Sequence, residues 1–127
     1  MVWEYIAKYL LVGYFFLWFA VIFMGKLPHI VYGAISLGIT LLIAVAIKNL
    51  TRRPRPYIKH AIKASVDDPP TDWSFPSGHT ATAMSLSVSL YFASHILGTI
   101  GFILAIVLGL SRIIVKVHSV ADVVLGG

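Results

Sequence analysis

The chain has 127 residues, of which 58% are hydrophobic and 12% are charged, against about 25% charged residues in typical soluble domains. Ten Lys and Arg outnumber five Asp and Glu, but these cations are not gathered into a polar domain that would bind nucleic acid. The absence of cysteine excludes disulfides and thiolate metal sites. This composition indicates an integral membrane protein.

Long apolar stretches follow one another along the chain and predict membrane-spanning helices. The predicted helices cover residues 9–25, 30–47, 77–95 and 99–112. A last segment begins around His118 and stops at Gly127, which is too short to cross a bilayer. The expected fold is therefore all-α, a polytopic transmembrane helical bundle with about four full spans and a truncated or very short last helix.

The segment 49–75 is polar and rich in proline and charge, and it is too long for a passive connection. We expect one integral-membrane domain over residues 1–127, with 49–75 as an active-site loop at the membrane surface. The loop aspartates are interpreted as solvated, and several loop cations as groups that attract anionic lipid. The aspartates are Asp67, Asp68 and Asp72, and the cations are Arg52, Arg53, Lys59 and Lys63.

Small residues recur every fourth position in three of the predicted helices. Such ridges allow membrane helices to approach closely, so they predict a compact bundle. The ridges are Ser36, Thr40 and Ala44, then Ala81, Ser85, Ser89 and Ala93, then Gly101, Ala105 and Gly109.

The order of the spans also predicts which segments share a face of the membrane, because alternate helix ends lie on the same side. The N-terminus, the 48–75 loop and the 111–122 region fall on one side. Lys26 and the 95–98 link fall on the other. Every residue with candidate chemistry lies on the first side.

The junction between the loop and the third helix reads Pro-Ser-Gly-His. Pro76 suits the first turn of a helix. The N–H groups of Ser77, Gly78 and His79 would then lack helical partners and, with the helix dipole, favour an anion. His79 adds an imidazole that exchanges protons near neutral pH. The pattern predicts a phosphate site with an acid beside it, and a plain turn before a helix is the alternative.

Three cations lie near this junction, two at predicted helix ends and one in the loop. Lys48 and Arg112 end helices two and four, and Arg55 lies in the loop. Individually, each could be an interfacial cation whose charge extends to water. Together they would repel one another unless an anion joined them, so they favour an anion site.

His118 and Asp122 lie four residues apart, a spacing that places both on one side of a helical turn. The carboxylate can hold one imidazole nitrogen and leave the other free as a nucleophile. A structural His–Asp hydrogen bond is the alternative. A metal site formed by these two residues and His79 is a further alternative, but the neighbouring cations disfavour it.

Three motifs in this order resemble the signature of the type 2 phosphatidic acid phosphatase superfamily. They are Lys48-x6-Arg55-Pro56, Pro76-Ser77-Gly78-His79 and Ser111-Arg112-x5-His118-x3-Asp122. The resemblance covers residues 48–122.

The resemblance implies a role for each motif residue. His118 would take the phosphoryl group, Asp122 would orient it, and His79 would protonate the leaving oxygen. The phosphate oxygens would be held, with no metal or other cofactor, by Lys48, Arg55, Ser77, Gly78 and Arg112.

The implied function is hydrolysis of a lipid phosphate or of a polyprenyl pyrophosphate such as undecaprenyl pyrophosphate, with membrane lipids around the enzyme and no nucleic acid partner. A lipid phosphotransferase of the same fold and a non-catalytic membrane scaffold or lipid-binding module are the alternatives. Which lipid phosphate is used does not follow from the motifs.

Members of the superfamily usually have six helices, so we expect that the natural chain continues or that it forms a homo-oligomer. The resemblance also implies a plasma (inner) membrane protein whose site faces away from the cytoplasm. All Lys and Arg except Lys26 lie on the active-site side, which by the positive-inside rule would be cytoplasmic. We expect the extracytoplasmic side, because loop charges that bind an anionic substrate serve a purpose other than insertion.

Overall fold

The computed structural model describes residues 2–65 and 70–127, except for the side chain of Ile22. Within these ranges all regular structure is helical, which confirms the all-α class. The helices are α1 (Val2–Ala20), which continues into a 3₁₀ turn (Val21–Met24), α2 (Leu27–Thr51), α3 (Pro56–Lys59), α4 (Gly78–Ala93), α5 (His95–Ile114) and α6 (Val120–Val124).

Helix α4 lies at the centre of the bundle, where it packs against α1, α2 and α5. Most of its buried residues are Ala, Ser or Thr, since a helix surrounded by other helices needs small side chains for close contact. Ser85 meets Ser36 of α2, with 3.2 Å between their hydroxyl oxygens. Trp18 of α1 donates to Ser89 Oγ at 3.1 Å. The predicted small-residue ridges thus contribute to the α2–α4 contact.

The apolar core fills the space between α1, α4 and α5. Tyr14, Leu86, Leu90 and Leu108 are fully buried there. Gly101 of α5 lies so close to α4 that a Cβ on it would be 2.9 Å from the Ser87 hydroxyl oxygen. The tight α4–α5 pair fixes the ends of both helices, and these ends carry site residues.

Two segments of the described chain, Leu27–Lys59 and His95–Ile114, are long and apolar enough to cross a membrane. Helix α4 has 16 residues, or about 24 Å, which is shorter than a hydrocarbon core of about 30 Å. Helix α1 carries Glu4 and Lys8, which form an ion pair at 3.7 Å. Two of the four predicted spans therefore meet the length and hydropathy expected of a membrane helix, and the number four stays a prediction.

The outer surface of the bundle is apolar on all four long helices. Large hydrophobic side chains project from each of them and are more than half exposed. Soluble monomers rarely expose apolar surface on this scale, so the surface suits contact with lipid. Examples are Phe16, Leu42, Phe92 and Ile106.

Candidate active site

The residues selected from the three motifs converge at one end of the bundle. His79 lies within electrostatic reach of Lys48, Arg55, Arg112 and His118. Lys26 is at the opposite end, where its ammonium group donates to the carbonyl of Ala93, the last residue of α4.

Arg55 and His118 form the closest pair in the site. The Arg55 side chain is only 2% exposed, and its Nη1 lies 3.1 Å from His118 Nε2 and 2.9 Å from the Val117 carbonyl oxygen. A guanidinium group only donates hydrogen bonds, so Nε2 accepts and holds a lone pair on that side. The proton of a neutral His118 is then on Nδ1.

Asp122 faces the Nδ1 side of His118, as the four-residue spacing predicts. Its Oδ2 lies 3.8 Å from Nδ1, which is a charge contact and longer than a hydrogen bond. The Ser74 hydroxyl donates to the same carboxylate oxygen. Ser119 completes a capping box at the start of α6, since its N–H donates to Asp122 Oδ2 at 2.7 Å and its Oγ accepts from the Asp122 N–H at 3.2 Å. These bonds fix the carboxylate behind the imidazole.

The two groups have shifted protonation equilibria. Burial lowers the pKa of His118, and the charges of Arg55 and Arg112 lower it further, whereas Asp122 raises it. Burial alone would raise the pKa of Asp122, but the contact with His118 and the hydrogen bonds from Ser74 and Ser119 outweigh it and hold that pKa well below its ordinary value. At neutral pH the site therefore pairs a neutral imidazole with a carboxylate.

The start of α4 differs from the prediction in two respects. The helix begins at Gly78 with Ser77 as its N-cap, so Pro76 lies before the first turn and not within it. The Ser77 N–H donates to the Asp122 carbonyl oxygen at 3.0 Å, because the end of the chain packs against this turn. Only the N–H groups of Gly78 and His79 keep the predicted geometry. A Cβ on Gly78 would meet no described atom within 4 Å.

The Arg112 side chain is held by a hydrogen bond to helix α1. Its side chain is 4% exposed, and its Nη1 donates to the Ala7 carbonyl oxygen of α1 at 3.0 Å. Its Nε has no hydrogen-bond partner among the described residues. Arg112 therefore brings a buried charge and one spare donor to the site.

A family comparison matches residues 29–127 to the PAP2 superfamily. The chain belongs to this superfamily. It is 30% identical over 122 residues to the undecaprenyl-diphosphatase BcrC of Bacillus subtilis (strain 168), with 94% of this chain and 63% of that protein covered. The chain thus spans less than two thirds of that relative's length.

The PAP2 fold is also seen in a solved structure. The match is the crystal structure of the first transmembrane PAP2 type phosphatidylglycerolphosphate phosphatase from Bacillus subtilis, with a TM-score of 0.69, 23% identity, and coverage of 98% of this chain and 67% of that one. This likeness shows a shared fold. The apolar helix surfaces and the two long apolar segments of this chain indicate an integral membrane protein.

One loop residue of this PAP2 chain has a role that the sequence interpretation missed. Asp72 was interpreted as part of a solvated loop, but its carboxylate binds both Lys48 Nζ and Arg55 Nη2. Its partners lie 24 and 17 residues away, so no local spacing marks it. Asp67 and Asp68 lie outside the described residues.

The sequence interpretation also missed three partners of Asp122, which are Ser119, Arg53 and Ser74. The spacing Ser119-x-x-Asp122 is that of a capping box and could have indicated the first. Arg53, interpreted as a lipid-attracting cation, has its Nη1 3.4 Å from Asp122 Oδ1, without hydrogen-bond geometry to that oxygen.

The alternative of a metal site was tested against the arrangement of side chains. Among the residues that the structure describes, no three His, Asp or Glu side chains are grouped so that they could share a metal ion. Metal independence remains a prediction about the reaction.

Proposed function

We propose that this PAP2 protein is an integral membrane phosphatase that hydrolyses a lipid phosphate or diphosphate through a phosphohistidine. The observation that carries the proposal is the 3.1 Å contact between Arg55 Nη1 and His118 Nε2. In the proposed complex an oxygen of the phosphoryl group takes the Nη1 donor from His118 Nε2. Phosphorus then lies beside the released lone pair of a neutral imidazole, which is the arrangement that nucleophilic attack requires.

The proposed reaction has two steps. His118 Nε2 attacks phosphorus, the bond to the leaving oxygen breaks, and His79 donates a proton to that oxygen. Water then attacks the phosphohistidine, His79 takes the proton from the water, and inorganic phosphate leaves. Asp122 stabilises the positive charge that the His118 ring carries while it is phosphorylated.

The anion would be held by cations and by the start of α4. In this proposal the charges of Lys48, Arg55 and Arg112 balance the phosphate, and Gly78 allows close approach to the helix N-terminus. Ser77 contributes its hydroxyl, which now lies 3.0 Å from Thr80 Oγ1. No metal and no other cofactor takes part.

The proposed substrates are a lipid phosphate such as phosphatidate or phosphatidylglycerol phosphate, or a polyprenyl pyrophosphate. The names of the two similar proteins support these two classes, and the apolar helix surfaces support a lipid substrate. We place the protein in the plasma (inner) membrane, as one domain with the 49–75 loop over the site on the extracytoplasmic face.

The test is phosphate release by the purified full chain from a detergent-dispersed polyprenyl pyrophosphate and from phosphatidate. We expect activity in the wild type and its loss in His118→Ala. The matched control is His95→Ala, the same change at an exposed position on the first residue of α5. Full activity in His118→Ala would contradict the proposal.

A further inference from the structure

The Asp72 carboxylate lies where the proposed function places phosphate oxygens. It binds Lys48 Nζ and Arg55 Nη2 at once. A carboxylate that bridges two cations with its two oxygens presents the same acceptor pattern as two oxygens of a phosphate.

The donors of Arg55 show which contact must change when an anion binds. Nε donates to the Asp72 carbonyl oxygen at 2.9 Å, and Nη1 contacts the Val117 carbonyl and His118. Nη2 binds the Asp72 carboxylate. Two of these contacts are to backbone oxygens. The contact to His118 must open before Nε2 attacks, but no anion occupies it, so Nη2 is the donor for which an arriving phosphate oxygen must compete with another anion.

Burial determines which partner moves. The Arg55 side chain is 2% exposed, whereas the Asp72 side chain is 53% exposed. Arg55 is fixed by backbone oxygens on two sides, but a half-exposed carboxylate can turn towards water at little cost. An arriving phosphate oxygen would therefore displace Asp72 and leave Arg55 in place.

The charge of the arriving anion determines how readily it displaces Asp72. Hydrogen bonds from Lys48 and Arg55 outweigh the effect of burial and hold the pKa of Asp72 below its ordinary value, so it is an anion at neutral pH. A phosphate monoester or diphosphate brings at least one more negative charge than a carboxylate to the same cations. A phosphodiester, which is the form of ordinary membrane phospholipids, brings only one charge.

We propose that Asp72 is a displaceable internal ligand that competes with anions for Lys48 and Arg55. This inference rests on the proposed phosphate site. Competition lowers the apparent affinity of every anion by the same factor. Dianions, which carry more charge, still bind. The abundant phosphodiester head groups do not reach the concentration that they would need to occupy the site. Asp72 thereby protects the site from the lipids that surround it.

The test is equilibrium binding of inorganic phosphate and of dimethyl phosphate, a soluble monoanionic diester, to the full chain in neutral detergent. Asp72→Asn should lower the Kd of both by about tenfold, since two half-exposed charge contacts are removed. Asp72→Glu, which keeps the carboxylate, should show a much smaller change. Asp68→Asn is the matched control, with the same loss of charge in the same loop.

Each outcome bears on one of the two proposals. If Asp72→Asn binds phosphate no more tightly than the wild type, or more weakly, then Asp72 only positions its two cations and the inference is wrong. Asp72→Ser carries the same expectation if the asparagine variant does not fold. A wild type that binds no phosphate and releases none from a lipid overturns the proposed function itself.

Discussion

The proposed chemistry depends on which nitrogen of His118 carries the lone pair. Nε2 faces the Arg55 guanidinium and Nδ1 faces Asp122, so the lone pair and the phosphate-binding cation are on the same side of the ring. In the proposed reaction the carboxylate on the other side stabilises the charge that phosphorylation creates. His118 attacks phosphorus in this proposed reaction, and His79 transfers the proton.

The division of work between the histidines predicts different responses to the leaving group. His118→Ala should lose activity on every substrate, because no group remains to attack phosphorus. His79→Ala should lose roughly 10²–10⁴-fold on alkyl phosphates and far less on an activated aryl phosphate, whose phenolate leaves unprotonated. Asp122→Asn should fall between the two. The measurement is the ratio of the two rates for each variant, and selective rescue of His118→Ala by the aryl substrate would exchange the assigned roles.

The lowered pKa of His118 predicts the acidic side of the pH–rate profile. The neutral imidazole is the nucleophile, so kcat/KM should fall as the pH drops through a pKa below the ordinary histidine value of about 6.5. Asp122 raises this pKa, and Asp122→Asn should therefore move the acidic limb to lower pH while it reduces the maximum rate. An acidic limb that moves to higher pH in this variant would show that His118 is not the titrating group.

At the residue scale, motif spacing was sufficient to select groups that the fold brings together. These groups lie in three helices and two connecting segments and still converge; they are residues 48, 55, 79, 112 and 118. Spacing could not indicate Asp72, because its ion pairs depend on how the loop folds back. That path is fixed by bonds such as Ser74 N–H to the Arg53 carbonyl oxygen at 2.8 Å, which leave no pattern in the sequence.

At the scale of elements, the approach of α5 to α4 places Arg112 in the site. The two helices lie close together near the first turn of α5, where a Cβ on Gly98 would lie 2.2 Å from the Tyr91 Cα. The Tyr91 backbone atoms cannot move aside for a Cβ in the way that a flexible side chain can. The glycine is therefore a requirement of the helix pair.

This contact predicts a stability difference between two glycines in helices. Gly98→Ala should destabilise the protein by about 1–3 kcal/mol through overpacking. Gly38→Ala, where a Cβ meets nothing within 4 Å, should be neutral or stabilise by up to about 1 kcal/mol through helix propensity. Thermal unfolding of both variants in the same detergent measures the difference. Equal melting temperatures would contradict the close α4–α5 contact.

Helix ends were harder to predict than helices. The charge-free stretch of the second helix ends at residue 47, but α2 continues to Thr51 and stops with Arg52 in the left-handed region at φ 45°. No glycine marks this end. Pro76 was predicted to lie in the first turn of α4, but the helix begins later, at Gly78. The Ser77 N–H is instead bonded to the Asp122 carbonyl oxygen of α6.

At the scale of the whole molecule, composition together with the length of the apolar stretches predicted the all-α class, since 58% of the residues are hydrophobic and long apolar stretches favour helices, which pair their own backbone polar groups. The number of spans is less determined, because central α4 is short and contains many Ser and Thr residues. Sidedness is open to two opposing arguments, the excess of cations around the site and the use of those cations for an anionic substrate.

Sidedness can be measured because the chain has no native cysteine. We expect that Ser65→Cys, in the loop by the site, reacts with an impermeant thiol reagent in intact cells. Met24→Cys, in the turn between α1 and α2 and 49% exposed, is the control and should react only after lysis. The reverse pattern would place the site on the cytoplasmic face.

The central claim is that His118 carries the phosphoryl group without the help of a metal. The direct measurement is a rapid quench of the full chain with a lipid phosphate labelled in its phosphoryl group, in excess chelator, followed by peptide mapping under alkaline conditions that preserve phosphohistidine. We predict label on His118 at a level that rises before the first turnover is complete, and none in His118→Ala. Label on another residue, or turnover that stops in chelator and returns with a divalent ion, would contradict the account.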